Sequence, residues 1–86
     1  MLLINGKITY REVDDSILVI TPWDNAIHTV ENIGKYIFEN LIDGKNKESI
    51  LDNIVNNYDV EKEIAKKDLD EFVSSLIEKE IFIEEV

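Results

Sequence analysis

Apolar and polar residues alternate with a period of about two along the first part of the chain, which is the spacing of a half-buried strand. The segment 7–13 (KITYREV) follows this pattern. Asp14 and Asp15 then supply turn-forming chemistry. The run SILVIT at 16–21 is nearly continuous in β-branched and apolar residues, which is typical of a strand flanked on both sides. The pattern predicts an antiparallel hairpin.

A third strand is predicted for the short run AIHTV at 26–30. Pro22 cannot donate to a strand ladder, so the second strand ends there. The chain then turns through Trp23, Asp24 and Asn25. The three strands form a meander, and the last strand has a free side. Such an edge presents backbone N–H and C=O groups that a second chain can pair with, so it is a candidate binding surface.

From Asn32 onward the apolar period changes to about 3.6, which predicts three helices. The first helix ends at Gly44, because glycine takes the left-handed conformation that closes a helix. The second has Asn46 as its N-cap and Glu48 in its first turn. The third begins near Glu61 and carries the fullest amphipathic stripe in the chain. The apolar positions of that stripe are Leu69, Phe72, Val73, Leu76 and Ile77.

Three strands followed by three helices predict an α+β fold, with the helices covering one face of a three-stranded antiparallel sheet. Two of the helices, joined by residues 43–47, resemble a winged helix-turn-helix. The apolar trio at 81–83 is predicted to fold back onto the core. Since no linker or repeat interrupts the chain, we expect a single domain over 1–86.

Charge and composition narrow the choice of partner. The chain of 86 residues has 19 acidic and 9 basic residues, a net charge of −10. Binding to a phosphate backbone normally depends on Lys and Arg contacts, so nucleic acid is not expected as a partner. No apolar run approaches the roughly 18 residues of a membrane span. Leu2, Leu3 and Ile4 are followed at once by Asn5, so no signal peptide is predicted, and the chain is expected to be cytoplasmic.

Catalysis is not indicated by any motif. His28 is the single histidine and the chain has no cysteine, so neither a nitrogen and sulfur metal site nor a cysteine nucleophile is predicted. The serines lie in strands or helices, away from a strand-to-helix elbow. The three glycines are scattered and form no phosphate loop. We therefore expect neither an enzyme nor a cofactor. Trp23 lies in a turn, where it is either a lid or a contact for a partner.

The ordered pattern of residues from about Tyr10 to Phe82 resembles the PqqD-like family, whose fold is known as the RiPP recognition element. The resemblance combines short strand and turn motifs with apolar helix positions at fixed spacings. Its carriers are Arg11, Val13 and Asp14, LVITP at 18–22, HTV at 28–30, Ile37, Phe38, Leu41, Asp43, Gly44, Ile50, Leu51, Ile54, Tyr58, Asp59, Val60, Asp68, Phe72 and Leu76. Two positions depart from the family pattern. The first helix opens with Val30-Glu31, which moves its cap to Asn32, and Glu80 stands where the family often has glycine.

The resemblance implies a non-catalytic module that binds the leader segment of a ribosomally made precursor peptide. In this family the leader adds as a strand to the third strand and lies between it and the third helix, and a modifying enzyme, often a radical S-adenosylmethionine enzyme, acts on the core segment. The residues implied at the edge are Ile27, His28, Thr29 and Val30. Those implied on the third helix are Lys66, Leu69, Phe72, Val73 and Leu76.

Two alternatives stay open at this point. The helical part also resembles a winged-helix nucleic-acid binder, although the second helix sets Lys47 against Glu48 and Asp52. A purely structural subunit that docks on a larger enzyme would have the same fold. The chain is expected to be a monomer, or a homodimer paired through 26–30, since an unpaired edge can also pair with its own copy.

Overall fold

The computed structural model describes residues 2–84; residues 1, 85 and 86 of the expected domain lie outside the described residues. The elements follow in chain order. They are β1 (Leu2–Ile4), β2 (Thr9–Val13), β3 (Ser16–Thr21), β4 (Ala26–Glu31), α1 (Ile33–Ile42), α2 (Lys47–Asn57), α3 (Lys62–Glu78) and β5 (Phe82–Glu84).

The predicted meander is confirmed as a three-stranded antiparallel sheet in the order β2-β3-β4. The predicted first strand starts two residues later than expected, at Thr9. Pairing of β3 with β4 places Ile17 opposite Val30 and Val19 opposite His28. With three helices after this sheet, the predicted α+β fold is confirmed.

The two faces of the sheet differ in burial because successive side chains of a strand point to opposite faces. Ile17, Val19 and Thr21 of β3 are buried on the helix side. Val30 of β4 joins them there and is 6% exposed. On the opposite face Ile27 is 66% exposed. The helices therefore cover one face of the sheet, as the strand pattern predicts.

A second sheet pairs β1 with β5 antiparallel. Neither segment is predicted as a strand from local periodicity, because each has only three residues and its partner lies at the other end of the described chain. The trio 81–83 does return to the core, as expected, since Ile81 and Phe82 are each 1% exposed. Ile83 is half exposed. The N–H of Asn5 donates to the carbonyl of Ile81 at 2.9 Å and continues the pairing.

The helix ends agree with the sequence signals in most details. The side chain of Asn46 accepts a hydrogen bond from the N–H of Ser49 at 2.8 Å, which confirms this N-cap. Gly44 has a φ of 82°, the left-handed conformation expected after α1. Asn32 does occupy the N-cap position of α1, but its side chain makes no capping bond. Its φ of 58° and ψ of −133° differ from the extended conformation in which a cap side chain reaches the helix.

The core lies between the inner face of the sheet, the three helices and β5. Phe38 of α1 is at its centre and is completely buried. Its ring makes edge-to-face contacts with Tyr10 and with Phe82, at centroid distances of 5.6 and 5.4 Å. Within residues 2–84, no helix is long and apolar enough to cross a membrane.

The end of α3 contains a residue in an unfavourable conformation. Glu80 has a φ of 60°, a region in which a side chain with a Cβ crowds the backbone. The turn is fixed from both sides, because the N–H of Glu80 donates to the carbonyl of Ile77 at 3.0 Å and the side chain of Asn5 donates to the carbonyl of Glu80 at 2.9 Å. The helix therefore ends at Glu78 without a glycine in the left-handed position.

We expect Glu80→Gly to raise the free energy of unfolding by about 0.5–1 kcal/mol. Glycine has no Cβ, so it avoids the steric cost of the left-handed conformation. Its greater conformational freedom in the unfolded chain offsets only part of this stabilisation. Urea denaturation followed by circular dichroism measures this change. Glu71→Gly, at an exposed position within α3, is the matched control and should lower stability by about 1 kcal/mol. Destabilisation by both substitutions would contradict the interpretation of Glu80.

Candidate functional site

The candidate site begins with the outer edge of β4. This strand is the last in the order β2-β3-β4, so within the described residues its only strand partner is β3. Ala26 and His28 are half-buried on the helix side, whereas Ile27 and Thr29 are exposed on the opposite face. In an edge strand, alternate residues direct N–H and C=O groups away from the sheet. β4 can therefore accept a further strand.

The connection from β4 to α1 brings a third element against this edge. Only Asn32 separates β4 from α1, and its positive φ turns the chain sharply. Gly34 in the first turn of α1 then has no side chain, and Phe72 of α3 occupies the space beside it. A Cβ on Gly34 would lie 3.2 Å from Cε1 of Phe72 and 3.5 Å from Cγ1 of Val30. The surface beside the free edge of β4, where Phe72 of α3 and Val30 both approach Gly34, is called the β4–α3 cleft below.

The four apolar residues predicted on α3 fall into two groups in the structure. Leu69, Val73 and Leu76 are 1–3% exposed and belong to the core, so they offer almost no surface to a ligand. Phe72 is partly exposed and packs against the edge of that core. Phe72 is therefore the member of the predicted stripe that reaches the β4–α3 cleft.

Lys66 lies on the other flank of α3. It lines a groove of about 430 Å³ between α2 and α3, together with Lys47 and Lys62. There Lys47 forms an ion pair with Asp70 at 2.8 Å, and this hydrogen bond lowers the pKa of Asp70. The structure does not bring Lys66 together with the edge of β4.

Sequence reasoning missed Gly34 at the cleft. This glycine has no signal in the sequence, because nothing there shows which side chain approaches it.

A hydrogen-bonded cluster lies where the β3–β4 turn meets the edge. The Thr21 hydroxyl donates to Oδ1 of Asp24 and lies 3.2 Å from Nε2 of His28. The N–H of Ala26 also donates to Oδ1 of Asp24, at 3.1 Å. These hydrogen bonds hold the pKa of Asp24 below its ordinary value of 3.8, and the bond from Thr21 has the largest effect. The turn is therefore fixed around an ionised carboxylate. Trp23, in the same turn, is 44% exposed.

The opposite edge of the sheet, β2, borders a cavity of about 370 Å³ between β2 and α1, whose lining includes Tyr10, Glu12 and Phe38. Glu12 forms an ion pair with Lys35 of α1 at 2.6 Å, which raises the pKa of Lys35. Tyr10 packs its ring on Phe38. α1 therefore engages the inward side chains of β2 through an ion pair and a ring contact, whereas beside β4 the ring of Phe72 is partly exposed.

The chemistry available at the β4–α3 cleft is that of recognition. The site offers backbone groups at a free strand edge, apolar surface from Phe72, and one imidazole. In the part of the chain that the structure describes, no group of three or more His, Asp or Glu side chains is placed to hold a metal ion.

Two solved structures that share this fold are complexes with leader peptides. The structure described as "TbiB1 in Complex with the TbiA(beta) Leader Peptide" matches with a TM-score of 0.88 at 24% sequence identity, covering 96% of each chain. "Lasso peptide synthetase B1 complexed with the leader peptide" matches with a TM-score of 0.88 at 18% identity, covering 96% of this chain and 98% of that one. At these identities the likeness establishes the fold.

The sequence establishes the family. The family described as "Coenzyme PQQ synthesis protein D (PqqD)" matches residues 16–81, which is most of the chain. This protein therefore belongs to the PqqD family, with the fold of the RiPP recognition element, as the sequence resemblance predicts. No curated protein sequence matches the chain.

We expect Gly34→Val to lower the free energy of unfolding by about 1–3 kcal/mol, because its side chain overlaps the ring of Phe72 and the surrounding core is closely packed. Gly6→Val is the matched control, since nothing lies within 4 Å of a Cβ at Gly6, and it should change stability by less than about 0.5 kcal/mol. Thermal or urea denaturation measures both. Equal effects at the two glycines would contradict the close approach of Phe72 to α1.

We expect the stability difference between the wild type and Asp24→Asn to depend on pH. Because the pKa of Asp24 is lowered in the folded state, the carboxylate stabilises the fold fully above its unfolded value of 3.8, and this contribution is lost as the pH falls through the lower folded-state value. Thermal melting between neutral and acidic pH should therefore show the difference shrinking with acidification.

The same series in the Thr21→Val background supplies the control for Asp24. Thr21→Val removes the largest cause of the lowered pKa, so the pH-dependent part should shrink there. A stability difference that grew on acidification would contradict the assignment.

Proposed function

We propose that this protein binds the leader segment of a ribosomally synthesised precursor peptide by strand addition to β4. The observation that carries the proposal is the free edge of β4 beside the partly exposed ring of Phe72. Membership of the PqqD family supports it. It is also supported by the fold shared with TbiB1 and lasso peptide synthetase B1, which were both solved with leader peptides.

Backbone hydrogen bonds supply much of the affinity in this mode of binding, and pockets for alternate side chains supply the specificity. Half of the six residues of β4 direct their N–H and C=O groups outward. About four bonds at about 1 kcal/mol each, with two apolar anchors at about 1.5–3 kcal/mol each, give roughly 7–10 kcal/mol before the cost of association. Association and ordering of the leader cost at least about 4 kcal/mol. We expect dissociation constants from submicromolar to tens of micromolar.

The alternation of β4 assigns roles to the predicted residues. Leader side chains opposite His28 and Val30 point toward the helix side and enter the β4–α3 cleft, where they meet Phe72. Those opposite Ile27 and Thr29 lie on the outer face of the sheet. In this arrangement Leu69, Val73 and Leu76 support the floor from beneath, and Lys66 lies beyond the cleft, on the α2 side.

The bound leader is presented to a separate modifying enzyme, and this protein itself performs no reaction. A radical S-adenosylmethionine enzyme is the partner class that the family resemblance suggests. Binding at the β4–α3 cleft leaves the outer face of the sheet accessible, including the exposed side chains of Ile20 and Ile27. That face is available to an enzyme while the leader occupies the edge.

The decisive experiment is an amide NMR titration of the whole chain with synthetic leader segments of short peptides encoded beside its gene. We expect the largest shifts in residues 26–31 and near Phe72, because both line the cleft. Shifts confined to 9–13 would place the peptide on the β2 edge. Absence of shifts with every neighbouring leader, while a neighbouring enzyme binds, would favour a docking subunit instead. A concentration-dependent mass in light scattering would identify pairing between copies.

A scan of singly N-methylated leader peptides tests the binding mode without altering the protein. If the leader adds as a strand, methylation at every second residue removes a bond to β4 and should weaken binding about fivefold or more, since each bond contributes about 1 kcal/mol. Methylation at the intervening residues should change affinity little, so these peptides are matched controls. Equal losses at all positions would contradict strand addition.

A further inference from the structure

The Thr21, Asp24 and His28 side chains form a hydrogen-bonded chain that ends at the proposed leader-binding edge. Thr21 is completely buried. It lies on the same face of the sheet as His28, because its partner on β4 is Ala26, and Ala26 and His28 are two residues apart on that strand. The Thr21 oxygen touches Oδ1 of Asp24 on one side and Nε2 of His28, at 3.2 Å, on the other.

The direction of this chain is fixed by its acidic end. An ionised carboxylate only accepts hydrogen bonds, and a threonine hydroxyl has one proton to donate. The Thr21 proton therefore goes to Asp24, and the Thr21 oxygen can only accept from His28. For that bond to exist, Nε2 of His28 must hold a proton. The alternative tautomer would set a lone pair of Nε2 against a lone pair of the Thr21 oxygen.

The other ring nitrogen is consequently an acceptor that faces the surface. In a neutral imidazole with Nε2 protonated, Nδ1 carries a lone pair and no proton. Within residues 2–84 the protein provides Nδ1 with no hydrogen-bond partner, and no buried side-chain nitrogen or oxygen there is left without one. Nδ1 therefore lies at the surface of the half-buried His28, on the helix side of the β4 edge.

We infer that Nδ1 of His28 is a specificity subsite that accepts a hydrogen bond from a hydroxyl-bearing residue of the leader, with Thr21 and Asp24 as the residues that position it. The inference rests on the proposed strand addition at β4. A leader residue directly opposite His28 shares its face of the sheet, with Cβ atoms about 4.5–5.5 Å apart, so its side chain lies within reach of the imidazole.

The surroundings of this subsite select among donors. A lysine ammonium would have to be desolvated beside the buried Val30, and the Asp24 carboxylate lies on the far side of Thr21, where it accepts from Thr21 and Ala26. A carboxylate offers only acceptors and would face the lone pair of Nδ1. The hydroxyl of serine, threonine or tyrosine supplies one donor without a net charge. A hydroxyl is thus the group that fits.

The tautomer is tested first, in the free protein. Because the chain has one histidine, ring nitrogen NMR above the pH range in which imidazole protonates reports His28 alone. We expect Nε2 protonated and its proton protected from exchange with water, and Nδ1 unprotonated. Thr21→Val should remove that protection while circular dichroism stays native. Thr9→Val, the same change at an exposed site on β2, should keep it.

The leader side chain is tested next with a double-mutant cycle. Contacts between His28 ring protons and the leader identify the residue opposite His28, and its hydroxyl is then removed by Ser→Ala, Thr→Val or Tyr→Phe. The affinity for the wild-type protein should fall about 3- to 10-fold, the usual range for one hydrogen bond. For His28→Phe, which keeps a ring but has no acceptor, the same peptide change should alter affinity less than about twofold.

The outcomes separate this inference from the proposed function. A proton on Nδ1, protection that survives Thr21→Val, or an aliphatic or acidic leader residue opposite His28 would each overturn the inference while strand addition stands. Equal losses for the wild type and His28→Phe would do the same. Failure of every neighbouring leader to bind would remove the proposed function and the subsite together, whatever the tautomer.

Discussion

The antiparallel pairing of β4 with β3 is the constraint on which the rest of the site depends. β4 is held by strand partners on one side only, so its register is fixed by the face that it buries. A slip of one residue would move every side chain to the other face: Val30 would leave the core, Ile27 would enter it, and His28 would lose Thr21. The burial of Val30 at 6% against the 66% exposure of Ile27 shows how strongly this register is specified.

The cleft depends on two residues, Asn32 for its unusual backbone conformation and Gly34 for its lack of a side chain. Asn32 has a positive φ in the one-residue connection between β4 and α1, a conformation that costs of order 1–3 kcal/mol unless the surroundings enforce it. Gly34 then leaves room for the ring of Phe72. Together they allow α1 to start directly beneath the strand, while the outer edge of β4 stays uncovered. The geometry of the edge and the packing of α3 are thus consequences of the same short connection.

Much of the architecture followed from local patterns, as the run AIHTV and the Asn46 cap show: alternation located β4, and the capping signal located α2. What local patterns missed depends on residues that are distant in sequence. β1 pairs with β5 across nearly the whole chain, and three-residue strands have no period to detect. At the site, the edge was predictable from alternation, whereas the helical stripe could not separate Phe72 at the cleft from Leu69 in the core. That distinction depends on which flank of α3 faces β4.

A free strand edge offers the same backbone groups to a peptide and to a second copy of the chain, and net charge affects these two kinds of pairing differently. The chain has a net charge of −10, so two copies brought edge to edge bring two like fields together within about the 8 Å over which physiological salt screens charge. A peptide strand that is neutral or basic meets no such repulsion. Net charge far from zero opposes self-association in general. The net charge thus opposes pairing of β4 between two copies and does not oppose pairing with a neutral or basic strand.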